Sequence, residues 1–190
     1  QMKTIADRAI ANEEAVPMII VMPDAWDTWY INQYDGKAPY EDMFFEELIP
    51  YMEKTYRIRS NKESRAIAGL SMGGYGSFLY SLHHPDMFCA CAPLSAAVFD
   101  DTVMEARKNK SHKDLFNRLF GPGDEHWQQN NVLKILSDWN QNDLPKIRYY
   151  IDCGDDDGLL DGNMQVHQIM RQKGIKHEFR VRDGGHSWTY

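Results

Sequence analysis

The sequence predicts an α/β fold with a mostly parallel sheet. Short apolar runs suited to buried strands recur along the chain. Longer stretches between them return their apolar residues at helical spacing. Several strand-like runs also end in turns rich in glycine and aspartate, at the edge where open α/β sheets place their ligands. With 190 residues, 43% hydrophobic and 26% charged, the chain is long enough to bury a substantial core as one domain.

Met2 to Arg8 reads as part of a helix within a mixed opening that runs to residue 17. Met18-Ile19-Ile20-Val21-Met22 is the first strand-like run, and an aromatic loop, Asp24-Ala25-Trp26-Asp27-Thr28-Trp29-Tyr30, follows it. From Tyr40 to Tyr56, the residues Phe44, Phe45, Leu48, Ile49 and Met52 make one apolar stripe, which Pro50 should kink or divide. Arg65 to Leu70 is a short run bounded by the polar Ser60 to Ser64, as expected of a buried parallel strand, and a helix carrying Phe78, Leu79 and Leu82 follows. Cys89 to Leu94 is the next strand. Between Ala97 and Leu144 periodicity weakens and charge rises, which marks an insertion at about 97–144. Ile147 to Cys153 is rich in β-branched and aromatic residues and reads as a strand. Gly162 to Gly174 reads as a crossover helix with a glycine C-cap, and His177 to Val181 alternates as a last strand.

Gly69-Leu70-Ser71-Met72-Gly73 joins the second strand-like run to its helix. A serine on such a tight strand-to-helix turn needs small neighbours so that its hydroxyl stands exposed, and the helix N-terminus behind it favours developing negative charge. The pattern alone arises by chance in roughly one chain in fifteen of this length. Corroboration comes from an acid and a base in the order Ser, Asp or Glu, His. The strand ending at Cys153 runs into Gly154-Asp155-Asp156-Asp157-Gly158, and the last strand runs into Arg182-Asp183-Gly184-Gly185-His186. Ser71 is then the candidate nucleophile and His186 the general base, with Asp155, Asp156 or Asp157 as the acid that orients it. The Met72 N–H is a candidate oxyanion donor.

At these residues the chain resembles the esterase D-like family of α/β-hydrolases, which includes feruloyl esterases, acetyl xylan esterases (carbohydrate esterase family 1 type), S-formylglutathione hydrolases and mycolyltransferases. The likeness covers most of the chain. It rests on Ile19 to Asp24, Glu47-Leu48-Ile49-Pro50-Tyr51, the Gly69 to Gly74 elbow, Cys153 to Asp157 and Gly184-Gly185-His186-Ser187-Trp188. The resemblance implies an α/β-hydrolase fold with helices on both faces of the sheet and a triad acid three residues after the strand-end glycine, at Asp157. It also implies opening strands, one leading to a second oxyanion donor, and a closing helix, and the chain is expected to lack these. In this fold such an insertion often overhangs the site and shapes its pocket; a solvated helical excursion is the plainer reading.

The formal charge of −7 argues against nucleic acid or an anionic membrane as partner. No cofactor is expected. The Asp155, Asp156, Asp157, Asp161 cluster lacks EF-hand spacing, and the three cysteines, Cys89, Cys91 and Cys153, form neither a C-x-x-C pair nor a disulfide framework. His83-His84 before Pro85 reads as C-terminal capping of a helix. Trp26 or Trp29 would stack on a sugar or phenolic acid unless packed against its own domain, and Trp188 would either line the site or buttress the histidine loop. The expected substrate is an ester-bearing small molecule or acylated polysaccharide, with feruloyl or acetyl esters on xylan first. The three cysteines fit either an exported or a cytoplasmic protein, and the polysaccharide reading favours a secreted or periplasmic one. The alternatives are a thioesterase or acyltransferase with the same triad, and a carbohydrate-binding module that keeps the fold without activity.

Overall fold

A computed structural model describes residues 2–108, 112–140 and 146–187. Its sheet has four strands, β1 (Ala66–Leu70), β2 (Ala90–Leu94), β3 (Arg148–Gly154) and β4 (His177–Arg182), all parallel and in sequential order. The register aligns Leu70 with Leu94, Leu94 with Asp152 and Asp152 with Arg180, so the C-terminal ends of all four strands share one edge. Every loop that leaves those ends therefore opens on the same side.

Among the described residues the helices are α1 (Met2–Ala11), α2 (Tyr40–Asp42), α3 (Ile49–Thr55), α4 (Met72–His83), α5 (Asp101–Lys108), α6 (Lys113–Phe120), α7 (Glu125–Asn130), α8 (Val132–Asp138) and α9 (Leu160–Gln172). Right-handed crossovers between sequential parallel strands carry α4, α8 and α9 to one face of the sheet, where α8 packs against both α4 and α9. On that face Tyr149 stacks on Phe78 with ring centroids 6.1 Å apart, and its hydroxyl lies 3.1 Å from Ser81 Oγ. Residues one position along point the other way. There Arg182 donates to Asp152 Oδ2 at 2.7 Å and to the Tyr150 hydroxyl at 2.8 Å.

The run Met18 to Met22 is not a strand. It is irregular, and Met18, Ile19, Ile20, Val21 and Met22 are all exposed. The strand expectation rested on composition, whereas a strand exists only where a neighbour accepts and donates its backbone hydrogen bonds, and no described segment pairs with this one. The Tyr40 to Tyr56 helix is divided as expected, by a change of winding. Met43–Leu48 is a π-helix between α2 and α3, and the Ile49 N–H reaches back to the Phe44 carbonyl. Pro50 has no N–H for the carbonyl four residues earlier, which fits the wider winding just before it.

The segment between β2 and β3 is helical and contributes to the core. Phe116, Leu119, Phe120, Trp127, Val132 and Leu136 are all buried in the main cluster. Short helices give weak periodicity in sequence, because α7 has only 6 residues and α8 only 7. Truncating Phe116 to alanine would cost about 3–5 kcal/mol by the usual scale for buried aromatics.

His83 and His84 do more than end a helix. His83 Nδ1 and His84 Nε2 both lie 2.8 Å from Glu41 Oε1, while His83 Nε2 lies 3.0 Å from the Gln129 carbonyl. Phe45 stacks on the His84 ring at 3.6 Å. The Glu41 carboxylate thus ties α2 to the C-terminal end of α4, and His83 ties α4 to α7. Burial alone would raise the Glu41 carboxyl, but the bonds from His83 and His84 outweigh it and bring it from 4.5 to about 2. Burial likewise opposes protonation of His83, and the bond to Glu41 outweighs that, so His83 keeps its proton to higher pH than an ordinary histidine.

The signs set a pH window. Glu41 contributes fully above its ordinary 4.5 and loses that contribution as pH falls toward about 2, whereas His83 contributes fully below its ordinary 6.5 and loses it as pH rises. Glu41→Gln is therefore expected to destabilise the fold by about 1–3 kcal/mol between those two ordinary values, with a smaller difference at about pH 9. Thermal unfolding of both proteins across that range is the check.

Candidate active site

Ser71 sits between β1 and α4 at φ 60° and ψ −117°, a conformation costly for a residue with a side chain. The turn is held by its own backbone and by β2. The Ser71 N–H donates to the Leu94 carbonyl at 2.9 Å, and its carbonyl accepts from Ala97 at 2.9 Å and from Tyr75 at 3.0 Å. Gly69 is required by contact, since a Cβ there would fall 2.2 Å from the Gly73 carbonyl oxygen. The motif's glycine therefore lets strand and helix approach closely enough to make the bend.

The loops after β3 and β4 are joined in the same way. Asp155 N–H donates to the Arg182 carbonyl at 2.9 Å, Asp156 N–H to the Gly184 carbonyl at 3.0 Å, and Gly184 N–H to Asp155 Oδ1 at 2.9 Å. A Cβ on Gly154 would lie 2.0 Å from the Gly184 oxygen. These contacts bring His186 against Asp157 on one side and Ser71 on the other. His186 Nδ1 lies 2.8 Å from Asp157 Oδ2, and His186 Nε2 lies 3.0 Å from Ser71 Oγ.

Asp157 is the acid that reaches His186; Asp155 fastens the histidine loop instead. The Asp157 side chain is wholly buried while that of His186 is 41% exposed. Burial pushes the Asp157 carboxyl up, but hydrogen bonds from His186, the Leu159 N–H and Ser95 outweigh it and hold it below its ordinary value. Its Oδ1 accepts from Leu159 N–H at 2.9 Å. An ionised carboxylate only accepts, so Nδ1 of His186 carries the proton and Nε2 is left to take one from Ser71. That tautomer is the one a general base requires.

Met72 opens α4, where the first N–H groups of a helix have no acceptor within it. Trp26 is 80% exposed at φ 50°, with its N–H on Asp24 Oδ1. Trp29 is packed instead against Tyr75, Phe99 and Phe116. Tyr30 lies over the elbow helix, its hydroxyl 3.4 Å from where a Cβ of Gly73 would be. The aromatic loop is thus seated beside the serine turn. Trp188 lies outside the described residues. Ser95 was not singled out by motif or periodicity, yet it is buried just past the end of β2, at φ 40°, with its N–H on the Asp152 carbonyl. For a metal, the carboxylates of Asp155, Asp156 and Asp183 lie close together but exposed. Cys89, Cys91 and Cys153 are free thiols. Among the described residues no helix is long and apolar enough to cross a membrane.

A ferulic acid esterase structure superposes with a TM-score of 0.80 at 38% identity, covering 100% of this chain and 71% of that one. The acetyl esterase of Caldicellulosiruptor saccharolyticus is 24% identical over 180 residues, which is 90% of this chain and 66% of that protein. An endo-1,4-beta-xylanase/feruloyl esterase of Xylanibacter ruminicola is 34% identical over 98 residues, which is 50% of this chain and 14% of that much longer protein. The four-stranded parallel sheet with its helices is that of the α/β-hydrolase esterases. The family model described as "Putative esterase" matches residues 1–190, and the chain belongs to that esterase family.

Proposed function

We propose that the protein is a serine carboxylesterase that cleaves feruloyl or acetyl esters of plant cell-wall polysaccharide through an acyl-enzyme. The observation that carries this reading is the hydrogen-bonded series Ser71, His186, Asp157, in which His186 lies 3.0 Å from one and 2.8 Å from the other. Ser71 Oγ attacks the ester carbonyl as His186 Nε2 takes its proton. The oxyanion that forms is met by the Met72 N–H at the start of α4. His186 then gives its proton to the departing alcohol oxygen, leaving the acyl group on Ser71. A water deprotonated by His186 attacks that ester, and the acid leaves as Ser71 recovers its proton.

The choice of ester rests on similarity to a ferulic acid esterase and to an acetyl esterase. In this reading residues 1–190 are one catalytic domain, and the helices between β2 and β3 shape its pocket. Exposed Trp26, held at positive φ in the loop beside the serine turn, is the aromatic surface offered to a phenolic acid or sugar. An acylated polysaccharide substrate would place the protein outside the cytoplasm.

Hydrolysis of methyl ferulate and acetylated xylan by the full-length protein and its Ser71→Ala variant tests the reaction. Ser71→Ala is expected to lower kcat by at least about 10³-fold, and Asp157→Asn by about 10²–10⁴-fold. Full activity in Ser71→Ala would remove the nucleophile assignment. Trp26→Ala should raise KM for methyl ferulate by about threefold to tenfold while leaving a small acetyl ester little changed, and steady-state kinetics on the two substrates separate these effects.

A further inference from the structure

Asn163 stands near the start of α9 and is 0% exposed, a polar side chain enclosed by the protein. Its Nδ2 donates to the Ala96 carbonyl at 2.9 Å and to the Leu159 carbonyl at 2.8 Å. A primary amide nitrogen has two hydrogens, and both neighbours can only accept, so the amide is held in this orientation with both hydrogens engaged. The two carbonyls belong to different parts of the candidate site. Ala96 lies in the segment after β2 that braces Ser71, where Leu94 accepts from the Ser71 N–H and Ala97 donates to the Ser71 carbonyl. Leu159 is the residue whose N–H donates to Asp157 Oδ1 at 2.9 Å. Next to Asn163, the α9 backbone itself meets the segment after β2, because a Cβ on Gly162 would fall 2.1 Å from the Val98 carbonyl oxygen.

We infer that Asn163 is a positioning residue, whose buried amide cross-links the segment that braces Ser71 to the segment that holds Asp157 and so sets the gap that His186 bridges. The inference rests on the serine-esterase reading. One rigid imidazole must meet Asp157 Oδ2 at 2.8 Å with Nδ1 and Ser71 Oγ at 3.0 Å with Nε2, so a shift of either anchor lengthens one of the two bonds. Strand register does not remove this freedom. Asp157 lies three residues beyond the end of β3, where the strand ladder no longer holds it. The Asn163 amide supplies the missing tie, from a helix that both segments touch.

The test is kcat and KM for methyl ferulate in the full-length protein, together with melting temperature, for Asn163→Ala, Asn163→Ser and Val166→Ala. Alanine removes both side-chain bonds and should lower kcat about tenfold with KM little changed. A serine hydroxyl in a helix still reaches the carbonyl four residues earlier, so Asn163→Ser keeps a bond to Leu159 and loses only the one to Ala96. It should melt above Asn163→Ala and yet lose kcat by about as much, and it carries the test if the alanine variant does not fold. Val166 is buried three residues further along α9 and has no polar side-chain atom, so Val166→Ala should lower the melting temperature by about 5 °C and leave kcat unchanged. Undiminished kcat in Asn163→Ser overturns the inference. An equal loss of kcat in Val166→Ala also overturns it, because the effect would then be a general loosening of α9. The low-field proton on His186 Nδ1 should shift in Asn163→Ser but not in Val166→Ala, and an unmoved resonance in Asn163→Ser overturns the inference as well. If instead Ser71→Ala keeps its activity, the esterase reading itself fails, an outcome separate from any result at Asn163.

Discussion

The backbone hydrogen bonds that Ser71 exchanges with the exit of β2, its N–H to Leu94 and its carbonyl from Ala97, each 2.9 Å long, are the constraint on which the site depends. A residue at φ 60° and ψ −117° would relax without such restraints. The close contact of Gly69 with Gly73 permits the bend, and the bonds to β2 keep it. Because the strand ends are in register, fixing Ser71 to β2 also fixes it relative to β3 and β4, and so relative to both loops that carry its partners.

The electrostatic arrangement follows from unequal burial. Asp157 is shut away from water and would favour the neutral form but for the hydrogen bonds that hold it ionised. His186, 41% exposed, keeps one ring nitrogen on that buried charge and the other beside the serine at the surface. The buried end therefore sets the tautomer, and the open end faces Ser71. Asp155, a neighbour of the same residue type, remains at the surface and serves the histidine loop through Gly184.

The helix that follows Ser71 is restrained at its far end as well. His83 and His84 close on Glu41, and Tyr30, Tyr40, Phe44 and Phe45 gather around Tyr80 in the same region. Helix α4 thus meets β1 and β2 on one side and the Tyr40 to Thr55 segment on the other, so that little of it faces solvent. Its charge-bearing contacts lie at one end and the strained serine at the other.

Local pattern made much of this legible. Glycine spacing around Ser71, alternation in His177 to Val181 and aspartate-rich turns are properties of neighbouring residues, so the strand, turn and helix sequence and the residue types at three strand ends could be read directly. From the residues alone, which of Asp155, Asp156 and Asp157 meets His186 stayed open, because all three occupy one turn and only the approach of a loop 29 residues away distinguishes them. The Glu41 pair with His83 and His84 was not legible for the same reason. The Met18 to Met22 run was misread because a strand needs a neighbour that composition does not reveal. The sequence by itself determined the chemistry available and the order in which it occurs along the chain. Only the tertiary structure decided which groups share hydrogen bonds, because the decisive contacts join residues as far apart as Ser71 and His186, separated by 115 positions, and depend on strand register and close backbone approach.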